Sequence, residues 1–266
     1  MTDVVVAGAA GRMGSRIVAC LQGDADLKLA AAIEVVGHAA CGSDAGEAAG
    51  VGRVGIPITS DPRAAITRDR VLIEFSIPEA TLAHLELVAA SGARAVIGTT
   101  GFSPAQREQI ATLGRRTAIM LAPNMSVGVN VAYQALALVS KALGDDYDVE
   151  ITETHHRFKK DAPSGTALKM AEVVAGALGR DLAKVAVYGR EGLPGERTRN
   201  EIGVLSLRSG DVVGEHTVSF GALGERIEIT HKAHSRDTFA RGALRAARWL
   251  AGRGPGLYSM QDVLGL

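Results

Sequence analysis

Four consecutive apolar residues, Val4-Val5-Val6-Ala7, run straight into Gly8-Ala9-Ala10-Gly11-Arg12-Met13-Gly14, after which Ile17, Val18 and Leu21 recur at helical spacing. A short, wholly apolar strand followed by a glycine turn and an amphipathic helix opens a parallel sheet, because a strand buried on both faces has no polar side to show. The glycines let the backbone turn tightly and approach a pyrophosphate, and the helix N-terminus adds free N–H groups and partial positive charge. The spacing is G-x-x-G-x-x-G, with Ala10 in place of the middle glycine of G-x-G-x-x-G. Its position directly after an apolar strand is what gives the motif force.

The alternation of strand and helix continues. Leu27 to Ile33 reads as a second strand, ended by Glu34, about 20 residues past the glycines, where a carboxylate can accept hydrogen bonds from an adenosine ribose. Val35 follows, so no adjacent Arg is present to meet a 2′-phosphate. Gly37 to Pro57 reads as a surface excursion. Val71 to Phe75, Ala95 to Ile97 and Ala118 to Leu121 supply three more strands. Ser76 and Pro78 open one helix. Ser103-Pro104-Ala105-Gln106 opens another, with Ser at N-cap, Pro at N1 and Gln at N3. The strand ends at Gly8, Glu34, Gly98 to Thr100 and Ala122 to Met125 would line one crevice of a doubly wound sheet, where ligands bind.

Near residue 126 the organisation changes. Gly128 to Leu143 and Gly165 to Leu178 are amphipathic, Ala186-Val187-Tyr188 is a short strand, and Gly189 to Glu201 is a long loop rich in Gly, Pro and charge. Ile202 to Arg208, Val212 to Phe220 and Arg226 to Lys232 read as an antiparallel meander, and Asp237 to Leu250 as a closing helix. The expected fold class is α/β: a Rossmann-type dinucleotide-binding domain over 1–126, with the segment 236–266 packing back on it, and an α+β domain over 127–235 with a mixed, largely antiparallel sheet.

Lys+Arg and Asp+Glu both number 29, which argues against a nucleic-acid surface. The two cysteines, Cys20 and Cys41, have neither metal-like nor redox-like spacing, so no disulfide framework is expected and a reducing cytoplasm is the default. No basic, apolar leader pattern and no run of about 20 apolar residues is visible, so no membrane is expected.

The densest chemistry lies in Glu150 to Ala167. His155, His156, Lys159 and Lys160 cluster after an alternating strand, and Ser164-Gly165-Thr166 opens a helix. Histidine suits proton transfer near neutral pH, a nearby Lys stabilises negative charge or donates a proton, and a helix start offers backbone N–H groups to an anion. Together they suit a small di-anion that must be protonated once. Adjacent residues of an extended segment point apart, so His155 and His156 do not chelate one ion, and no metal is expected.

Glu150-Ile151-x-Glu153-x-His155-His156-Arg157-x-Lys159-x-Asp161-Ala162-Pro163-Ser164-Gly165-Thr166-Ala167 resembles the signature of the 4-hydroxy-tetrahydrodipicolinate (dihydrodipicolinate) reductase family. The resemblance extends to Gly8-x-x-Gly11-Arg12-Met13-Gly14, Gly98-Thr99-Thr100-Gly101-Phe102, Ser126-Val127-Gly128-Val129-Asn130, Gly192-x-x-Gly195-Glu196-Arg197, Gly214-Glu215-His216-Thr217 and Ile229-Thr230-His231-Lys232-Ala233. It implies an oxidoreductase of bacterial lysine and diaminopimelate synthesis that uses NADH or NADPH to reduce a cyclic unsaturated dicarboxylate to tetrahydrodipicolinate.

By the same resemblance His155 would be proton donor or acceptor and Lys159 the proton donor. His156, Gly165 and Thr166 would bind a substrate carboxylate. Gly8, Ala9, Ala10, Gly11, Arg12, Met13, Glu34, Gly98, Thr99, Thr100, Ala122, Pro123, Asn124 and Met125 would bind the cofactor. The second domain would hold substrate and assemble a homotetramer through its sheet. Many members carry Arg where this chain has Val35, which favours NADH, although Arg12 could still reach a phosphate.

Overall fold

In the computed structural model, which describes residues 1–266, the first unit starts with β1 (Thr2–Ala7), its last four residues buried. After the glycine turn come α1 (Gly14–Leu21) and β2 (Leu27–Ile33). The helix presses Ile17, Val18 and Leu21 into the core, each such side chain contributing about 1.5–3 kcal/mol of hydrophobic stabilisation. The stretch from Gly37 to Pro57, expected as an irregular excursion, contains a helical turn, α2 (Ala45–Ala48). One turn is too short to show a helical period. What builds it is Asp44, whose carboxylate accepts from the amides of Gly46, Glu47, Val54 and Gly55 and so knots both ends of the excursion together.

β3 (Ile58–Thr59), α3 (Pro62–Ala65), β4 (Val71–Glu74), α4 (Pro78–Ser91), β5 (Arg94–Ile97), α5 (Pro104–Gly114) and β6 (Ala118–Leu121) complete this stretch. β4 ends at Glu74, one residue before Phe75. α5 carries the expected capping box, Ser103 accepting from Gln106 and Gln106 from Ser103.

The second compact unit spans Gly128–Ser235. α6 (Val127–Leu143) leads into it, followed by β7 (Asp148–His155), α7 (Gly165–Ala177), α8 (Leu182–Val185), β8 (Ala186–Tyr188), β9 (Ile202–Arg208), β10 (Gly214–Ala222) and β11 (Glu225–Ala233). The sheet is mixed, in the order β11-β10-β7-β9-β8. The three-strand meander expected from sequence is corrected here: β7 lies between β9 and β10, parallel to the first and antiparallel to the second. β7 carries the buried Val149, Ile151 and Glu153, and a strand that buried must have both edges hydrogen-bonded.

Val129, Ala132, Tyr133 and Leu136 of α6 join Met170, Ala171 and Val174 of α7 over the inner face. The segment Val127–Asp146 is, by length and composition alone, apolar enough to cross a membrane, with mean hydropathy 1.2, a property the sequence reading had not credited to any stretch. Val129, Ala132, Tyr133 and Leu136 of this helix face the core of this unit, while Val131 and Leu138 are exposed.

The chain then returns to the first unit, which comprises Met1–Val127 and Arg236–Leu266. α9 (Asp237–Leu250), β12 (Gly256–Tyr258) and α10 (Met260–Leu264) belong to it. Arg16 on α1 clamps Asp237 at 2.6 and 2.8 Å. With β12 in place the first sheet has seven strands, all parallel, in the order β12-β6-β5-β4-β1-β2-β3.

Candidate active site

Two groups of candidate residues emerge, one in each unit. In the first unit the C-terminal ends of β6, β5, β4, β1 and β2 follow one another across the sheet. Gly8 has φ +64°, a conformation that L side chains rarely adopt, and turns the chain so that the Gly11 amide donates to its carbonyl at 2.9 Å. A Cβ on Gly14 would lie 2.0 Å from that same carbonyl, so the helix packs on the turn as only glycine allows. The Ala10 amide donates to Oε1 of Glu34 at 2.9 Å, and the Ala9 amide to the Ile33 carbonyl at 3.1 Å. Glu34 thus holds the turn as well as facing a ligand space. Arg12 is exposed, and Met13 stands just before the first turn of α1.

Gly98 and Thr99 are buried and Thr100 is exposed; the Thr99 hydroxyl is 2.9 Å from that of Thr81. Ala122 and Met125 are buried, Pro123 is exposed, and Asn124 accepts from the Ser126 amide at 2.9 Å. The fourteen candidate cofactor residues therefore sit on four strand ends of one sheet. A fifth end was missed. A cavity of about 450 Å3 is lined by Gly8, Glu34 and Val35, and also by Ser76, Ile77 and His84, after β4 and on α4. Glu74, fully buried at the end of β4, lies 2.6 Å from Nδ1 of His84. An acidic residue closing an otherwise apolar strand was the available signal. The turn, the Glu34 carboxylate and this mostly apolar cavity fit a dinucleotide: Gly8 leaves open the space a Cβ would fill, and the carboxylate can accept from a ribose.

In the second unit the pleat turns Glu153 and His155 toward the inner face. Across the ladder Glu153 stands opposite Ser206 on β9 and His216 on β10, and His216 opposite His231 on β11. Glu153 is fully buried. Its Oε2 is 2.6 Å from His155 Nδ1 and 3.0 Å from Arg208 Nη1, and its Oε1 accepts from the Ser164 amide at 3.1 Å. Burial raises its pKa, but hydrogen bonds from His155, Ser206 and Arg208 outweigh that and hold the carboxyl below its usual range.

Burial pushes His155 down, with Glu153 opposing and Lys159 and Arg208 adding to the fall. His216, 2.8 Å from the Ser164 hydroxyl and packed edge-on against the His155 ring, is pushed by burial to about 3 and is neutral near pH 7. Glu153, Arg208 and His216 were given no role from sequence, and the bond from Ser164 to His216 was not foreseen. They are distant along the chain, and only the ladder reveals them.

Lys159 donates to both carboxylate oxygens of Asp161 at 2.9 Å. His156 packs at a tilt against the exposed Phe158 ring, and its Nδ1 is buried with no hydrogen-bond partner. Ser164 caps α7 by accepting from the Ala167 amide at 3.2 Å, so Gly165 and Thr166 stand at the first two helical positions, whose amides find no partner within the helix. Burial pushes the Tyr133 hydroxyl pKa up, with Thr166 beside it opposing. Arg157 and Lys160 are exposed. No three His, Cys, Asp or Glu side chains converge on a point that could hold a metal. The arrangement can take up an anion at a helix start and exchange a proton with it beside a lysine and an oriented imidazole.

Two family models cover nearly the whole chain: dihydrodipicolinate reductase, N-terminus, over residues 2–125, and dihydrodipicolinate reductase, C-terminus, over residues 128–264. A 4-hydroxy-tetrahydrodipicolinate reductase of Citrifermentans bemidjiense is 54% identical over 266 residues, all of both chains, and one of Hahella chejuensis is likewise 54% identical over all of both. Among solved structures, dipicolinate-bound dihydrodipicolinate reductase from Paenisporosarcina sp. TG-14 matches with TM-score 0.76 at 23% identity over 98% of each chain, a likeness of fold.

Proposed function

The chain belongs to the dihydrodipicolinate reductase family, and on that premise we propose how its residues divide the work of the reaction. It reduces 4-hydroxy-tetrahydrodipicolinate to tetrahydrodipicolinate in lysine and diaminopimelate synthesis, with a nicotinamide dinucleotide as reductant.

The first unit, Met1–Val127 with Arg236–Leu266, is the cofactor domain. The turn from Gly8 to Met13 takes the pyrophosphate, Glu34 the adenosine ribose, and Gly98 to Thr100 with Ala122 to Met125 the rest of the dinucleotide. When bound, the reduced nicotinamide supplies the hydride. Val35 and Val36 are exposed beside the Glu34 cavity and bring no cation to a 2′-phosphate, which supports NADH as the preferred form.

The second unit, Gly128–Ser235, binds substrate. The amides of Gly165 and Thr166 take one carboxylate at the N-terminus of α7, where partial positive charge favours an anion, and His156 assists. The 4-hydroxyl leaves as water to give a conjugated imine, and hydride addition to that imine leaves charge on the ring that one proton must quench. Lys159 stabilises that charge and donates, and His155 gives or takes a proton at its Nε2. The observation that carries this division is the buried Glu153, which holds His155 and the Ser164 amide on opposite oxygens and so registers the imidazole against the carboxylate cradle. A dipicolinate complex of a protein of this fold supports a planar cyclic dicarboxylate as the ligand class.

The outer face of the second sheet carries the exposed Leu205 and Leu207 beside Thr152, Thr154, Thr217 and Thr230. An exposed sheet face of this kind supports assembly into a homotetramer. The cytoplasm is the proposed compartment.

The test is loss of reduced-nicotinamide absorbance with freshly generated substrate, run in parallel with NADH and NADPH. No turnover with either would reject the assignment, and a kcat/KM ratio strongly favouring NADPH would reject only the cofactor preference.

A further inference from the structure

We infer that Glu153 is a positioning residue that fixes the tautomer of His155, so that the imidazole meets substrate through Nε2, and that the same carboxylate fixes the distance from that ring to the carboxylate cradle. The inference rests on His155 being the histidine that exchanges a proton with substrate.

An ionised carboxylate has only lone pairs to offer. With Glu153 Oε2 at 2.6 Å, Nδ1 of His155 must carry the hydrogen, and the titrating lone pair falls on Nε2. That atom lies over Gly214, where a Cβ would stand 3.0 Å away, so the missing side chain leaves Nε2 unobstructed on that side. Glu153 can stay charged although fully buried because its oxygens are filled by donors: Arg208 Nη1 at 3.1 and 3.0 Å, the Ser164 amide at 3.1 Å and the His155 ring.

Those donors arrive from three places, the end of β7, the end of β9 and the N-cap of α7, and Ser206, opposite Glu153 on β9, adds a hydroxyl. The remaining groups facing His155 are Lys159 with its partner Asp161 from the following loop and His216 from β10, with His231 on β11 beyond it. None of these offers Nδ1 an acceptor.

Glu153→Gln has a definite consequence. The side-chain amide has one oxygen and one NH2 in place of two acceptors. Arg208 and the Ser164 amide can only donate, so both require the oxygen; with the Ser164 amide on the Oε1 side, the NH2 falls on the Oε2 side, against His155 Nδ1. The ring then carries its hydrogen on Nε2, and the anion that favoured the imidazolium is gone.

The experiment has two arms on the full-length protein. In the wild type, nitrogen chemical shifts of labelled histidines, with His155 assigned by its loss in His155→Ala, are expected to show hydrogen on Nδ1; hydrogen on Nε2 overturns the inference and needs no variant at position 153 to fold. In Glu153→Gln, kcat is expected to fall about 10- to 100-fold, and the limb of the kcat/KM pH profile that His155→Ala abolishes is expected to move about one unit to lower pH. A variant that loses thermal stability while that limb stays in place shows a merely structural carboxylate and overturns the inference. Wild-type-like turnover in His155→Ala would instead remove the catalytic reading on which the inference rests, so the two failures are told apart.

Discussion

Lys159 Nζ stands 2.9 Å from both oxygens of Asp161, two residues on, and the lysine side chain is 19% exposed against 65% for the aspartate. The lysine is thus paired with a mostly solvated carboxylate. A substrate carboxylate or a developing ring anion can compete with a partner of that kind, because exposed pairs are worth little.

Replacing that lysine separates charge stabilisation from binding. Lys159→Ala is expected to lower kcat by about 10²–10⁴, the range for loss of a positioned proton-transfer group. Steady-state kinetics with both nicotinamides would check it, and near-normal kcat in the folded variant would take Lys159 out of the mechanism.

Cofactor preference should respond to one side chain beside the Glu34 cavity. Val35→Arg places a guanidinium where a 2′-phosphate would lie, and one charge-assisted hydrogen bond is worth about 1.5–3 kcal/mol. The kcat/KM ratio of NADPH to NADH is therefore expected to rise about 10- to 100-fold. An unchanged ratio would show that the 2′ position lies elsewhere.

The loop from Ala122 to Met125 is backed by α9 at a single unforgiving point. A Cβ on Gly242 would lie 1.8 Å from the Met125 carbonyl oxygen, which is backbone and cannot swing away. Gly242→Ala is expected to cost about 1–3 kcal/mol of stability by overpacking and to raise the cofactor KM as the loop shifts. Urea denaturation and cofactor titration would measure both, and wild-type stability would mean that the helix retreats without strain.

Acid should weaken the protein through its buried histidines. His216 is pushed from its ordinary 6.5 to about 3 by burial, and burial lowers His155 and His231 as well. Between 6.5 and about 3 the unfolded chain binds the proton that folded His216 refuses, so stability falls as pH drops through that window and is unaffected by this group above it. One such histidine gives a slope of at most about 1.4 kcal/mol per pH unit. Denaturation across that window should show a shallower slope in His216→Asn than in wild type, and equal slopes would dismiss the contribution.

Much of the first unit was legible because its signals are local. An apolar run is a buried strand whatever lies beside it, and the turn after β1 and the capping box of α5 are each written within a few residues. The single turn of α2 escaped, having no period to display, and so did β3 and β12, whose two and three residues acquire strand character only from β2 and β6 beside them. The chemical stretch after β7 was legible as a concentration of proton-transfer groups, but not its wiring: Glu153 read as one polar residue of an alternating strand, and Glu74 passed without a role inside a strand taken to Phe75.

The sequence by itself determined where the longer strands and helices form, that four strand ends carry small or acidic residues, and which short stretch holds the histidines and lysines. Those are properties of neighbours along the chain, set by side-chain period and turn chemistry. Tertiary structure alone decided that β7 separates β9 from β10, and so that Ser164 reaches His216 across 52 positions and Arg208 reaches Glu153 across 55. Ladder register brings such pairs together, and it is settled by which strands must bury both edges, a requirement of the whole sheet that no local stretch of sequence records.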